Sequence, residues 1–375
     1  MWDEYPEPVD PYHPDNPLMV IPGALTGTAS PYSGRTIVCA FSPQSWPYPW
    51  FTRSSIGANW GARLKRAGYD GLIVTGASET PVHMLIHDDE VSIVPADAAS
   101  EDALWGQDTI EAQETIQARY GKNARTLCIG PAGERLSRIA TIQTETGSAA
   151  GQGGFGAVLG AKKLKAITVR ASRHGSGRVP VADPDRLRGL FKAVGDHVRP
   201  YQHGLIARFM GLDEKKLPEG RVRNYACTAS CPSPCQLYLS GVPGCHFDRK
   251  WSGAMKCVGS IFGGMPDTEP EYDWDLGLRG GMELNVYANR LGINHWDVLV
   301  GMVPWLSACR AAGLLSEINR VGAQAEKEVK LLDAAKKQTD ERVLEPVEMP
   351  KGMTPAPSSS TTPGYKPGGD VAPAR

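Results

Sequence analysis

Residues 147–170 read GSAAGQGGFGAVLGAKKLKAITVR, a glycine-rich stretch followed by apolar and β-branched residues. Gly151, Gly153 and Gly156 have the G-x-G-x-x-G spacing of dinucleotide-binding loops. However, only about nine residues separate Gly156 from the strand predicted at Ala166, too few for a crossover helix, and no acidic residue follows Val169. The stretch therefore predicts an open loop whose backbone amides can bind an anion, with a tight turn between strands as the alternative.

The sequence before this stretch has the pattern of a β-rich domain. Short apolar runs alternate with Gly, Pro and Ser turns, and we predict a strand in each of LMVIPG, RTIVCAF, YDGLIVTG, VHMLIH, EVSIVP, RTLCIG, SRIATIQ and LKAITVR. Two helices are predicted, one over residues 59–66 and one over residues 109–120, the latter with Asp108 as its N-cap.

The pattern changes after this domain. From Asp185 apolar residues recur at three- and four-residue intervals, which predicts helices interrupted by a cysteine-bearing loop. The carboxyl-terminal stretch TPAPSSSTTPGYKPGGDVAPAR is too poor in apolar residues to form a core. We therefore predict an α+β protein with a β-rich domain over residues 1–172, a helical domain over 173–322 and a charged, then disordered, tail over 323–375.

Composition excludes several classes of protein. Of 375 residues, 40 are Lys or Arg and 41 are Asp or Glu, so the formal net charge is -1 and no global field favours nucleic acid or an anionic membrane. The sequence shows no signal peptide and no apolar run long enough to cross a membrane. Eight cysteines are too few for a disulfide scaffold. We expect a cytoplasmic protein without nucleic-acid or membrane partners.

Three cysteines lie on one short segment, CTASCPSPC, as Cys227, Cys231 and Cys235. Thiolates on one tight loop can converge on a single iron-sulfur cluster, and Pro232 and Pro234 stiffen this loop. A zinc loop or unligated core cysteines are the alternatives, although zinc sites more often have paired C-x2-C knuckles. A cluster with four irons needs a fourth ligand, for which Cys245 and Cys257 are candidates.

The chain resembles the aldehyde ferredoxin oxidoreductase family. The resemblance runs from about Val9 to about Leu315 and is carried by the cysteine run and by VDPYHPDNPLMVIPGALTGTASPYSGR, LKRAGYDGLIVTGASETPVHMLI, LWGQDTIEA, IGPAGERLSRIATI and AAGQGGFGAVLGAKKLKAITVR. It implies a tungsten or molybdenum bis-pyranopterin beside a 4Fe-4S cluster, and an amino-terminal base of two β-sheets that holds the pterins below helical domains.

The resemblance also implies roles for single residues. Arg35 matches an arginine that contacts a pterin phosphate, and Gly57 a glycine of the pterin loop. Ala149 and Gly151 match a loop whose backbone meets the pterin and a bridging magnesium ion. Cys231 and Cys235 match two cluster cysteines, whereas Cys227 lies one residue further from Cys231 than in the family.

Several positions depart from the family. Ser55 replaces an asparagine of the pterin loop, and Ser148 replaces the arginine before the AAG loop. The helical motif appears as NRLGIN, so Asn289 and Asn294, which flank Ile293, replace two carboxylates that hydrogen-bond the pterin. An amide can still donate and accept hydrogen bonds, but without charge.

The segment WSGAMKC lacks the glutamate that aldehyde oxidases place near the metal. Its last residues, Met255, Lys256 and Cys257, resemble the active-site subunit of class II benzoyl-CoA reductases, in which the equivalent cysteine ligates tungsten. We therefore predict Cys257 as a metal ligand, with a buried structural thiol as the alternative. His246 and His295 are candidate proton donors or, alternatively, structural histidines.

Family members continue well beyond this sequence. The missing part carries the second pterin-contacting motif and the fourth cluster cysteine, so the resemblance implies a fragment or one half of a split enzyme completed by a second chain. The function implied is aldehyde oxidation with ferredoxin or another electron-transfer protein, or reduction of an aryl-CoA thioester. The alternative is a non-catalytic remnant or assembly subunit that binds only an iron-sulfur cluster or zinc.

Overall fold

The fold was analysed in a computed structural model, which describes residues 5, 7–97, 99, 103–172, 179–198, 221–256, 258–259 and 277–313. The predicted tail and Cys257 lie outside these residues. Everything described falls within one compact unit, Met1–Ser316.

The first sheet has four antiparallel strands in the order β3-β2-β1-β4. The strands are β1 (Leu18–Pro22), β2 (Thr36–Phe41), β3 (Phe51–Ile56) and β4 (Leu72–Val74). Because side chains alternate between the faces of a strand, Leu18 and Val20 enter the core while Ile21 faces outward. The partner strand places Val38 opposite Val20 on the same buried face.

The second sheet is mixed and has the order β6-β5-β10-β7-β8-β9. Its strands are β5 (Val82–His87), β6 (Glu90–Pro95), β7 (Arg125–Cys128), β8 (Ile142–Thr144), β9 (Ala149–Ala150) and β10 (Leu164–Arg170). Strand β10 is parallel to β5 and antiparallel to β7. It is buried from Leu164 to Val169, as expected for a central strand covered on both faces.

Helices pack on these sheets and complete the amino-terminal region. They are α1 (Trp60–Arg66), α2 (Thr109–Tyr120), α3 (Pro131–Glu134) and α4 (Phe155–Ala161). Trp60 lies in the core shared by both sheets, and its indole N–H donates to the Ile167 carbonyl at 2.9 Å. Asp108 caps α2 in a capping box with Glu111, as predicted. The expected two-sheet architecture is confirmed, with β3 and β9 as additional strands.

The glycine-rich stretch forms β9, a loop over residues 151–154 and the seven-residue helix α4. The predicted loop or tight turn is therefore corrected to a strand, a loop and a helix. A glycine lets α4 pack closely on α3. A Cβ at Gly160 would lie 1.9 Å from the Gly133 carbonyl oxygen, so the two helices are in contact backbone against backbone. Strands β7 and β8 separate β9 from β10, which is not the arrangement of a dinucleotide-binding βαβ unit.

The region predicted to be helical contains helices and an unpredicted sheet. After α5 (Pro184–Val198), the antiparallel strands β11 (Arg221–Tyr225), β12 (Gln236–Pro243) and β13 (Lys250–Met255) form a separate sheet. Then follow α6 (Gly277–Leu291), α7 (His295–Asp297), a π-helical turn (Val298–Met302) and α8 (Val303–Ala311). Within the described residues, none of the helices is long and apolar enough to span a bilayer.

Two names are used below. The base comprises residues 7–97 and 103–172, with both large sheets. The second lobe comprises residues 221–256, 258–259 and 277–313, whose own core joins the small sheet to α6. That core consists of Leu237, Leu239, Val242, Trp251, Met255, Met282 and Val286.

Candidate functional site

A cavity of about 310 Å³ lies where the base meets the second lobe. Both lobes supply its walls. The base contributes β3 and the residues around β8 and β9, and the second lobe contributes α6 and residues 227–235, which we call the cysteine loop. All the residues predicted to bind the cofactor line this cavity, with the exception of Gly57: Arg35, Ser55, Ser148, Ala149, Gly151, Asn289, Ile293 and Asn294. The fold thus collects residues that are far apart in the sequence.

Gly57 lies directly behind the cavity wall. A Cβ at this position would be 3.1 Å from the Ser148 hydroxyl and 3.5 Å from the Cys227 Cβ. The absence of a side chain at Gly57 therefore lets the Ser148 turn and the cysteine loop approach each other. Ala58 fixes this approach, because its N–H donates to the Cys227 carbonyl at 2.9 Å.

The opposite wall is formed at the end of α6. Asn294 caps α7, and its side chain lies over Gly151, where an added Cβ would be 3.0 Å from Asn294 Oδ1. Asn289 Oδ1 accepts a hydrogen bond from Gln143 Nε2 at 3.3 Å. Both asparagines thus contact the base at the cavity, which Gly151 also lines.

The cavity carries positive charge. Arg35 and Lys256 line it, and no carboxylate stands among the described lining residues. Burial lowers the pKa of Lys256 to about 7, against the attraction of Cys227 and Glu145, and repulsion by Arg35 lowers it further. A cationic wall of this kind suits an anionic ligand.

Three buried acceptors in the wall have no hydrogen-bond partner among the described residues. They are Gln143 Oε1, Gln236 Oε1 and Asn285 Oδ1. Because Asn285 Nδ2 donates to the Ala254 carbonyl at 3.3 Å, the orientation of that amide follows from its partner. Unsatisfied buried acceptors are costly, so the wall suits a ligand with N–H or O–H donors as well as negative charge.

The two predicted histidines lie in different places. His295 lines the cavity, whereas His246 does not, and its backbone N–H donates to Glu283 at 2.9 Å. Burial lowers the pKa of His295 to about 4, against a hydrogen bond to the Asn285 backbone. His295 is therefore neutral at pH 7 and carries a proton on only one ring nitrogen.

The cysteine loop borders the cavity through Cys227. The Cys231 thiol hydrogen-bonds the Cys227 sulfur and lowers the pKa of Cys227 to about 6; burial opposes this, and Arg35 and Lys256 favour it. The same hydrogen bond raises the pKa of Cys231, with burial adding to the effect. The two thiols therefore share a single proton near neutral pH, which is typical of closely spaced sulfur ligands.

Two further predicted cluster ligands are Cys235 and Cys245. Cys235 is close enough for its charge to act on Cys231, and Cys245 is exposed, with its N–H donating to Glu283 at 2.9 Å. Among the residues that the structure describes, no three His, Cys, Asp or Glu side chains are arranged to hold a metal ion. The cysteine trio as a ligand set stays a prediction.

A second cavity of about 460 Å³ adjoins the first and shares Gln143, Gly147, Asn285 and Asn289 with it. Glu145 lines it, and burial raises the pKa of this carboxyl group, against the effects of its own backbone N–H and of Arg125.

Sequence reasoning missed Gln143, Glu145, Gln236, Lys256 and Asn285. The only signals were the position of Lys256 beside Cys257 and that of Gln143 and Glu145 just before the AAG loop.

Comparisons with known proteins agree with this arrangement. The family profile described as aldehyde ferredoxin oxidoreductase, N-terminal domain, matches residues 1–171. A tungsten-containing aldehyde ferredoxin oxidoreductase of Pyrococcus furiosus is 40% identical over 304 residues, which cover 76% of this chain and 47% of the relative. One from Thermococcus kodakarensis is 44% identical over 179 residues, covering 48% of this chain and 28% of the relative.

A solved structure is similar as well. The active site complex BamBC of benzoyl coenzyme A reductase with 1,5-dienoyl-CoA matches with a TM-score of 0.66 and 25% identity, covering 84% of this chain and 50% of that chain. The chain thus spans about half the length of the Pyrococcus relative and of this solved chain. The amino-terminal region of the chain thus matches the aldehyde ferredoxin oxidoreductase N-terminal domain, and the chain as a whole is similar in fold to the benzoyl coenzyme A reductase complex.

Proposed function

We propose that this chain is the pterin- and cluster-binding portion of a tungsten- or molybdenum-dependent oxidoreductase. The reaction is oxidation of an aldehyde to a carboxylate, with electrons passing to ferredoxin or another electron-transfer protein, or else reduction of an aryl-CoA thioester. The observation that carries this proposal is the cationic cavity between base and second lobe, which brings the family's cofactor positions together beside the Cys227 and Cys231 thiols.

The residues present fit a phosphate-bearing pterin. Arg35 and Lys256 supply positive charge, and the unpartnered acceptors Gln143 Oε1 and Asn285 Oδ1 suit the N–H groups of a heterocycle. Gly151 lines the cavity and has no side chain of its own to fill it. A magnesium ion would contact the backbone at Ala149 and Gly151, although Ser55 and Ser148 provide less support for it than the family's asparagine and arginine.

When bound, the metal-pterin supplies two-electron redox chemistry, and a cluster passes electrons singly. The contribution of the chain is to bind and orient. Arg35 and Lys256 fix the anionic end of the ligand, and Asn289 and Asn294 hold its polar edge without adding charge. His295, neutral at pH 7, holds a proton on one ring nitrogen and can exchange it at the cavity.

The cluster would be held by Cys227, Cys231 and Cys235, with a fourth ligand from Cys245, from Cys257 or from a part of the relatives that the given sequence does not cover. Cys257 remains the proposed metal thiolate by its resemblance to the benzoyl-CoA reductase subunit. A second chain as a partner is also part of the proposal, because the solved benzoyl coenzyme A reductase complex with a similar fold is a BamBC complex.

A second candidate function is a non-catalytic subunit that binds only a cluster or zinc. It is favoured by the uncharged Ser148, Asn289 and Asn294, which replace charged positions of the family. Under this alternative the cavity is a remnant, and the cysteine loop alone keeps a ligand.

Anaerobic purification followed by metal and pterin analysis distinguishes the two candidates. The proposal predicts tungsten or molybdenum, an oxidisable pterin and about four irons per chain. Cys231→Ser should lose iron, whereas Arg35→Met should lose pterin and keep iron. Wild-type protein that contains iron or zinc but neither pterin nor tungsten nor molybdenum supports the second candidate and ends the first.

A further inference from the structure

Lys256 follows the last residue of β13 and reaches across to the base. Its ammonium group donates to the Thr146 carbonyl and to the Ser148 hydroxyl, the latter at 3.0 Å. The same nitrogen lies 5.1 Å from the centroid of the Tyr225 ring. A side chain of the second lobe therefore places a cation on the turn between β8 and β9, in the wall of the cavity.

The immediate partners of this cation are neutral. They are a carbonyl, a hydroxyl and an aromatic ring, none of which balances a charge. The nearest buried carboxylate, Glu145, has its own cation, because its Oε1 lies 3.3 Å from Arg125 Nε. Arg35, the other charged residue of the cavity, is also positive. Among its described lining residues, the cavity thus holds two basic side chains and no carboxylate, and its one acidic group is the Cys227 thiol.

Other buried lysines of this protein are arranged differently. Lys165 pairs with the carboxylate of Glu134. Lys162 donates to the carbonyls of Pro14 and Gly76, the latter at 3.1 Å, and lines neither of the cavities described above. Lys162 therefore shows what a purely structural lysine looks like in this fold, and it provides a matched control.

We propose that Lys256 is an anion-binding residue of the cavity, which together with Arg35 holds the phosphate group of an organic phosphate ligand. Two cations facing one polar cavity from opposite lobes can bind a phosphate from two sides, and hydrogen bonds to a charged acceptor are the strong ones. Identification of the ligand as the pterin rests on the proposed function, whereas the anion site itself does not.

The test uses the full chain purified without metal, with inorganic pyrophosphate as the probe at constant ionic strength. Calorimetric titration of the wild type should show binding, and pyrophosphate should raise the melting temperature. Lys256→Met should bind about tenfold more weakly or worse, because a hydrogen bond to a charged group is lost. Lys162→Met should keep wild-type pyrophosphate affinity, whatever its own melting temperature.

A second variant that moves the positive charge to position 148 distinguishes loss of the anion site from simple misfolding. The Ser148 hydroxyl lies 3.0 Å from the Lys256 ammonium, so a guanidinium carried from position 148 reaches the same region. Adding Ser148→Arg to Lys256→Met should restore pyrophosphate binding, and Lys256→Arg alone should retain it.

Lys256→Met protein that binds pyrophosphate as tightly as the wild type would overturn the inference and leave Lys256 as a tie between the lobes. No binding to the wild type would overturn it as well. If pyrophosphate binding depends on Lys256 but the anaerobic protein contains no pterin, the proposed function fails while the anion site stands.

Discussion

The base and the second lobe are built differently. The base buries a continuous core that both large sheets share with α1 and α4, whereas the second lobe has only the small cluster between its three-stranded sheet and α6. Because burial of apolar area dominates stability, the base is the more stable partner. Even so, the smaller lobe supplies several of the polar residues that line the cavity, among them Lys256, Asn289 and Asn294.

Backbone hydrogen bonds join the base to the second lobe along the contact between them, which we call the seam. Asn294 N–H donates to the Ile139 carbonyl at 3.0 Å, and Thr141 N–H donates to the Gly292 carbonyl at 2.8 Å. A third such bond joins the base to the cysteine loop, where Tyr32 N–H donates to the Ser230 carbonyl at 3.0 Å. Backbone hydrogen bonds thus hold the second lobe on the base at more than one place.

The largest expected effect is in the base. Trp60 is 1% exposed and lies among residues of both sheets. Trp60→Ala should reduce the free energy of unfolding by about 3–5 kcal/mol, the usual cost of removing a buried aromatic side chain. Urea unfolding followed by circular dichroism measures this loss.

The matched control for this change is Trp46→Ala, because Trp46 is 75% exposed. It should change the unfolding free energy by less than about 0.5 kcal/mol. Similar losses for both tryptophans would contradict the assignment of the main core to the base.

A smaller, pH-dependent effect is expected in the second lobe. Glu283 is 3% exposed and accepts hydrogen bonds from the N–H groups of Cys245, His246 and Phe247, each at 2.9 Å, and from the Trp251 indole at 3.1 Å. Burial raises its pKa, but these hydrogen bonds outweigh burial and hold the pKa below its ordinary value. Glu283→Gln should cost the lobe about 1–3 kcal/mol at pH 7.

The sign of the pH dependence follows from the lowered pKa. A carboxylate whose pKa is depressed by folding stabilises the protein above its unfolded pKa, about 4.3, and this stabilisation is lost as the pH falls through the folded pKa. Hydrogen exchange of β12 and β13 should therefore differ between wild type and Glu283→Gln at pH 7 and converge in acid. A difference that persists unchanged once the pH is low enough to protonate Glu283 in the folded protein would refute the role of the charge.

The sequence predicted most of the base, because local patterns carry that information. Apolar alternation marked β1 and β2, and Asp108 followed by Glu111 marked the start of α2. Strand β3, with the sequence FTRSSI, was missed because it is mostly polar and only partly buried. The resemblance then supplied cavity positions that no local pattern could relate to each other.

The contacts across the seam could not be predicted in the same way. Lys256 and Ser148 are 108 residues apart, and neither has a local pattern that indicates the other. The small sheet was missed because RVRNY and QLYLSGVP lack strong apolar alternation. The segments on either side have helical periodicity, which favoured a helical prediction for the whole region. Only the folded arrangement shows that β13 delivers a cation to the turn between β8 and β9.

The smallest effect is expected at the seam itself. Arg290 of α6 pairs with Asp108 at the start of α2, and their side chains are 15% and 16% exposed. Asp108→Asn should preserve the helix cap, because asparagine is an equally good N-cap, and should remove only the ion pair. The expected cost is about 1 kcal/mol, since partly exposed ion pairs contribute little and are screened by salt.

Hydrogen exchange at the end of α6 is the appropriate measurement for Asp108→Asn, at low salt and at about 1 M NaCl, where screening acts over roughly 3 Å. The variant should exchange faster than the wild type at low salt and nearly equally at high salt, while β10 in the base remains unaffected. Arg290→Met should behave in the same way if the pair is the cause. If Asp108→Asn instead speeds hydrogen exchange in β10 or throughout the base, the base is not stable independently of the seam. The two lobes then fold as a single cooperative unit.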